Sequence, residues 1–394
     1  MATARFQEIA AKVRGGERLG FDDGLALFEE PDFLSVGALA NEVRERLHGD
    51  RAYYNRNVRL EVTNVCVASC MFCSFAKLEE GMPGARTLSV PQAIDSLRAK
   101  VDPSALPTEV HMVNGLHPGL AFTYYEELLS ALREAFPTLH RKCFTAVEID
   151  FFAKHYGMTT RVVLERLRAA GLESMPGGGA EIFHPEVRRK LCADKATAEE
   201  WAAIHGEAHE LGIFTNATML YGHIETFAHR VDHLLRLRAL QQESIAQGRP
   251  ARLQAFIPLA FHPEGNDLRR VPGPTGVDDL RTLAVSRLML DNVEHLKAYW
   301  VASTPKIAQV GLAFGADDVD GTIVSETIYG SAGKRAPEGL AVDELVRMIR
   351  EAGRTPIERD TLYRVITEHP RAAAPEASFR LKDRREGRHL EVVS

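Results

Sequence analysis

Ten residues, Cys66 to Phe75, constrain this chain more than any other stretch, because the three thiols of Cys66, Cys70 and Cys73, spaced C-x3-C-x2-C, must converge on one small volume. A structural zinc site closes with four ligands, and no fourth cysteine follows at a spacing that would complete one. A cubane 4Fe-4S cluster held by three cysteines instead leaves one iron open to a group that is not protein. The alternative is a zinc knuckle that borrows a distant histidine, for which 15 histidines supply candidates.

The rest of the chain limits the setting of this loop. Its 394 residues fit one large α/β barrel with appendages, and 45% hydrophobic residues are enough for a large interior. A formal charge of -6 argues against a nucleic-acid partner. The first dozen residues carry charges where a signal peptide needs an apolar core, and no run is long enough to span a bilayer. A cytoplasmic protein with no membrane partner is expected. Five cysteines, three of them clustered, suit metal chemistry in a reducing compartment, with Cys143 and Cys192 as small buried side chains.

Residues 1–58 read as a helical cap, with apolar stripes at Phe6-Ile9-Val13 and Val36-Leu39-Val43-Leu47 and helix starts at Asp22-Asp23 and Asp32. From residue 59 short β-branched runs alternate with helical stretches, the pattern of a parallel sheet with crossover helices. Strands are expected at 59–65, 109–114, 141–146, 173–175, 214–220, 253–259, 296–301 and 321–324. Eight such units make a (β/α)8 TIM-type barrel over 59–370, with its site on loops at the carboxyl ends of the strands. The structural alternative is an open six-stranded barrel with a C-terminal extension. Residues 371–394 read as a solvated, arginine-rich tail.

The loop C-x3-C-x-aromatic-C resembles the signature of radical S-adenosylmethionine (SAM) enzymes. The resemblance implies that Cys66, Cys70 and Cys73 hold a 4Fe-4S cluster whose fourth iron takes the amino and carboxylate groups of SAM, with Phe72 near the adenine. An electron donor such as flavodoxin or ferredoxin is implied as well.

Other polar motifs fall at equivalent strand ends. Asn114 and Gly115 form a loop that could approach the methionine ammonium, since glycine permits close backbone approach. Glu148 could accept from a ribose diol or pair with that ammonium; as a helix-terminal acid it needs neither. Gly177 and Gly178 offer amides to a carboxylate but lack a P-loop lysine. Gly222 could let a ligand lie on the backbone, and His223 could move a proton in the barrel mouth. Ile257, in the apolar run 256–263, suits adenine or an aromatic substrate, although core packing accounts for half of that run.

Together the stretches 63–66, 114–118, 144–149, 176–183, 215–226, 256–263, 288–300 and 315–321 resemble the aminofutalosine synthases of the futalosine route to menaquinone. The strings Ala217 to Glu225 and Arg287 to Asn292 are the most specific. The resemblance implies a small-molecule substrate, 3-[(1-carboxyvinyl)oxy]benzoate, whose double bond accepts the 5'-deoxyadenosyl radical. Rearrangement and loss of the carboxyl carbon would give 6-amino-6-deoxyfutalosine, with methionine released. Two substrate carboxylates call for cationic donors, for which Arg230, Arg269, Arg287 and His262 are candidates. Hydrogen-abstracting relatives, the dehypoxanthine futalosine cyclases and deazaflavin synthases, share the cluster loop. A non-catalytic metal-binding scaffold is the reading from a different class.

Changing Cys66, Cys70 or Cys73 to Ala should abolish the cluster and all SAM cleavage, while Cys143→Ala and Cys192→Ala keep both. Iron content and paramagnetic resonance check this, and a full cluster in Cys70→Ala would contradict it.

Overall fold

Asn57, Val58 and Arg59 pair in parallel with Glu109, Val110 and His111, and this first rung starts a ring of parallel strands. The computed structural model describes residues 2–102, 105–332 and 337–371. Its strands are β1 (Arg51–Asn55), β2 (Asn57–Arg59), β3 (Glu109–Met112), β4 (His140–Cys143), β5 (Ser174–Met175), β6 (Phe214–Tyr221), β7 (Leu253–Ala260), β8 (His295–Leu296), β9 (Asp318–Gly321), β10 (Thr355–Arg359) and β11 (Val365–Glu368). Strands β2 to β8 form one seven-stranded sheet in sequence order, each pair parallel. Crossover helices cover its outside, as parallel strands require.

Residues 318–324 close the ring. On one side Ala298 N donates to the Asp318 carbonyl at 2.8 Å, and on the other Arg59 N donates to the Val324 carbonyl at 3.0 Å. The closing stretch does not form one regular strand, because the non-glycine residues Asp320, Ile323 and Ser325 all adopt positive φ. Its first half, β9, turns outward to pair with β1 in a second sheet of order β11-β10-β1-β9. The barrel reading therefore holds, while the eighth stave is shared between two sheets.

Several strand limits differ from those read in the sequence. The first strand ends at Arg59; beyond it only single bonds to β3 and its following loop continue, at Leu60, Thr63 and Val67, while Asn64 and Cys66 bond to Arg86 and Lys77. The third ends at Cys143, where Phe144 at φ 58° turns the chain and Thr145 caps the helix Ala146–Tyr156. The seventh is only β8, and residues 300–301, expected as the end of that strand, open the helix Trp300–Ser303.

The N-terminal region forms three helices, Ala4–Gly15, Phe21–Glu29 and Phe33–His48, and then leaves helix at β1. Asp32 caps the third helix through Ser35 N, and Asp23 accepts from Gly20 N at the start of the second. These helices pack on the barrel's outer helices Phe227–Ala246 and Gly276–Met289. Gly24 lies against Met289 and Val231, where a Cβ would sit 3.0 Å from both side chains. Among the described residues no helix is long and apolar enough to cross a membrane. The tail beyond Arg371 lies outside the described residues.

A Cβ on Gly321 would lie 2.2 Å from the Asn55 carbonyl oxygen, so ring closure depends on its absence. Gly321→Ala should cost about 1–3 kcal/mol in urea unfolding. Gly81→Ala, where nothing lies within 4 Å, should cost little by the same measurement.

Candidate active site

Beyond β2 the chain forms the cysteine loop, and its neighbours pin it through main-chain bonds. Cys66 N donates to the Lys77 carbonyl at 2.9 Å, Val67 N to Leu116 at 3.0 Å and Met71 N to Leu191 at 2.9 Å. Asp267 N donates in turn to the Met71 carbonyl at 2.9 Å, and Ser69 donates to Asp194. Gly115 is what lets the loop after β3 come this close: a Cβ there would lie 2.2 Å from the Val65 carbonyl oxygen.

The thiol arrangement discriminates between metals. Among the described residues, the group of three His, Cys, Asp or Glu ligand atoms lying within 4.8 Å of one another is His48, His295 and Asp317, not the three cysteines. A single zinc with Zn–S near 2.3 Å would hold its sulfurs about 3.8 Å apart. At least one pair of the three cysteine sulfurs therefore lies farther apart than one ion would hold it. Burial pushes the Cys70 thiol up to about 12, with Lys195 pulling the other way, so thiolates here need further cationic partners. The His48, His295 and Asp317 group is already balanced, since Arg287 donates to the same carboxylate.

Next to the loop, a cavity of about 1240 Å³, mouth included, opens into the barrel. Phe72, Cys73 and Ser74 line its cluster side, and Gly177, Gly178, Leu220, Ile257 and Phe261 form much of its wall. Lys195 Nζ lies 5.1 Å over the Phe72 ring and pairs with Glu181 at 2.8 Å. This cation beside Cys70 and the aromatic was not read in the sequence, where only its proximity to the Gly177 stretch could have suggested it.

The expected site residues divide into two groups. Phe72, Gly177, Gly178 and Ile257 line the cavity, as does His262. Gly177 also packs on β6, where a Cβ would be 2.6 Å from Ala217 Cα. Asn114, Gly115, Glu148, Gly222 and His223 lie outside the lining and act behind it. Both Glu148 oxygens are used internally: one accepts from Thr145 N at 2.7 Å, the other from Asn114 N and Nδ2 at 3.1 and 3.2 Å. Glu148 is thus the helix-terminal acid that latches Asn114, whose Oδ1 accepts from Val62 N at 2.8 Å. His223 is clamped between the Leu220 carbonyl at 2.9 Å and Glu225 at 2.8 Å. Gly222 adopts φ 88°, where a Cβ would meet Pro274.

The arginine candidates are corrected by the structure. Arg230 is held by Glu225 and Asp278 at 2.8 and 2.6 Å, and Arg287 by the Gly315 carbonyl and Asp317; neither lines the cavity, nor does Arg269. The cations that do are Arg59, Lys142 and Lys297. Their signal in the sequence is a charge on or beside an inward-facing strand position, where an ordinary barrel places Val, Ile or Leu.

Comparison with known proteins agrees with this geometry. Residues 60–237 match the Radical SAM superfamily and residues 251–372 the CofH/MqnC C-terminal region. The chain is 47% identical over 374 residues to aminodeoxyfutalosine synthase of Thermus thermophilus, spanning 94% of this chain and 98% of that one. Identity to the Streptomyces coelicolor aminodeoxyfutalosine synthase is 43%, over 92% of this chain and 94% of that one. A 5-amino-6-(D-ribitylamino)uracil–L-tyrosine 4-hydroxyphenyl transferase of Methanosphaerula palustris is 38% identical over 91% of this chain and 97% of its own length. Of solved structures, the FeFe-hydrogenase maturase HydG from Carboxydothermus hydrogenoformans aligns with TM-score 0.69 at 17% identity, covering 91% of this chain and 80% of that one. Methylornithine synthase PylB aligns with TM-score 0.66 at 18% identity, over 88% and 97%. These two likenesses show the fold.

Glu148→Gln keeps one acceptor oxygen and must turn its amide NH2 toward either the Thr145 or the Asn114 donors, so it should break one side of the latch and cost about 1–3 kcal/mol in urea unfolding. Iron bound per folded chain should fall with it, because the latch stands behind the cysteine loop. An unaltered unfolding midpoint would show that the latch contributes nothing.

Proposed function

This chain belongs to the radical SAM superfamily, in the family of aminodeoxyfutalosine synthases, and on that premise we propose that it joins the 5'-deoxyadenosyl group of SAM to 3-[(1-carboxyvinyl)oxy]benzoate. The products are 6-amino-6-deoxyfutalosine, methionine and the carboxyl carbon as CO2 or bicarbonate. The observation that carries the reading is 47% identity to an aminodeoxyfutalosine synthase across 98% of that protein's length. It is a radical SAM enzyme of menaquinone biosynthesis at the level the family fixes, and that family implies a 4Fe-4S cluster and SAM.

In this reading Cys66, Cys70 and Cys73 hold the cluster, which when bound supplies the electron that cleaves SAM. Phe72, Gly177, Gly178 and Ile257 form the cavity wall against SAM. Gly177 and Gly178 present backbone without side chains, so a flat adenine or ribose can lie close to them. Leu220, Leu259 and Phe261 line the cavity and exclude water from the aromatic substrate. Asn114, Gly115 and Glu148 keep the cysteine loop in position. An electron donor such as a flavodoxin or ferredoxin would supply the electron that the cluster passes on.

Bound this way, the substrate's carbon–carbon double bond is held within bonding reach of the adenosyl carbon, and proximity favours addition over hydrogen abstraction. The second reading, an abstracting or tyrosine-derived transfer, draws on the match of residues 251–372 to the CofH/MqnC C-terminal region. SAM labelled in its adenine separates the two. The proposed function predicts one label in the nucleoside product per turnover, with methionine released. Label found only in 5'-deoxyadenosine while the benzoate is consumed would overturn it in favour of the second reading.

A further inference from the structure

Three cations of the cavity lining share only two carboxylates as direct partners. Arg59 at the end of β2, Lys142 within β4 and Lys297 just after β8 all line the cavity. Two carboxylates answer them: Glu109 accepts from Lys142 Nζ at 2.6 Å, and Asp320 accepts from Lys297 Nζ at 2.5 Å and lies 3.5 Å from Arg59 Nη2. Arg59 is only 7% exposed, and its Nε has no hydrogen-bond partner among the described residues. A buried charged donor without a partner carries a desolvation cost that an incoming anion would relieve. Burial pulls Lys142 down to about 8, so it too gains from an added negative charge. The other acids of the cavity are engaged elsewhere or disfavoured as anions. Glu326 accepts from the amides of Ile328, Tyr329 and Gly330, Glu181 pairs with Lys195, and burial together with Glu326 pushes the Glu61 carboxyl up, toward its neutral form.

These three cations stand on the strand bodies or at their very ends, below the loop of Phe72 and Cys73 that lines the reacting side. Whatever part of a substrate they hold is therefore the end remote from the reaction. The geometry points to Arg59, Lys142 and Lys297 as the specificity-determining seat of a substrate carboxylate remote from the reacting double bond, which, resting on the proposed function, is the ring carboxylate of the benzoate. Leu220 and Leu259, which also line the cavity, then face the ring itself.

The test compares 3-[(1-carboxyvinyl)oxy]benzoate with (1-carboxyvinyl)oxybenzene, which lacks the ring carboxylate, in the reconstituted enzyme, with nucleoside product read by mass. In wild type the KM of the second compound should be about 10–100-fold higher, the loss of a charge-assisted hydrogen bond. Arg59→Gln should raise the KM of the diacid by a similar factor while hardly changing that of the monoacid, with kcat less affected than KM. Lys142→Gln gives the same cycle if Arg59→Gln fails to retain its cluster. Equal KM values for the two compounds in wild type, or a variant that raises both equally, overturn the inference. A wild-type enzyme that converts neither compound refutes the proposed function and this inference with it.

Discussion

Two strand-end loops touch backbone to backbone at Gly115, and the reactive side of the cavity depends on that contact. Gly115 N donates to the Thr63 carbonyl at 2.9 Å, and Val67 N donates back to Leu116 at 3.0 Å. Any side chain at Gly115 would meet the Val65 carbonyl, next to Cys66. The cysteine loop is therefore held by main-chain bonds independent of its thiols. Glu148 sustains this from behind: it holds Asn114, and Asn114 holds Val62. Residues two layers from the chemistry thus fix where three sulfurs can stand, which is the supporting role that outer groups play around metal ligands generally.

The barrel places two unlike environments in one cavity. Its walls are glycine and aliphatic, suited to adenine and an arene, while its floor holds buried cations and acids from β3, β4 and the closing stretch 318–324. Buried charges of this kind add little to stability unless paired. Their cost is understandable at a functional site, where a ligand completes the pairing. The irregular eighth stave contributes directly, because the positive φ of Asp320 bulges β9 at the residue that faces Lys297 and Arg59.

How much of this was legible in the sequence follows from the range of each interaction. The cysteine spacing is local, so the sharing of one loop by the three thiols could be read directly. Strands β6 and β7 are long and apolar, and their limits came within one residue of the expected ones. The eighth stave was blurred because non-glycine residues adopt positive φ there, which no propensity anticipates. Glu148 was placed at the right strand end, but its partner Asn114 lies 34 residues away, so latch and ligand contact could not be told apart. Arg230 and Arg287 looked available because their acids, Asp278 and Asp317, are distant in sequence. Arg59, Lys142 and Lys297 went unread for the converse reason: strand alternation shows which face they take only once the barrel's inside is known.

The central claim is that three thiolates on a backbone-braced loop leave one iron open for SAM. Electron–nuclear double resonance on the reduced, reconstituted protein, with SAM carrying nitrogen-15 in its amino group and oxygen-17 in its carboxylate, reads that iron directly. The account predicts hyperfine coupling of both nuclei to the cluster, absent when unlabelled SAM is used. A reduced cluster that couples to neither label, in protein shown to bind SAM, would contradict it.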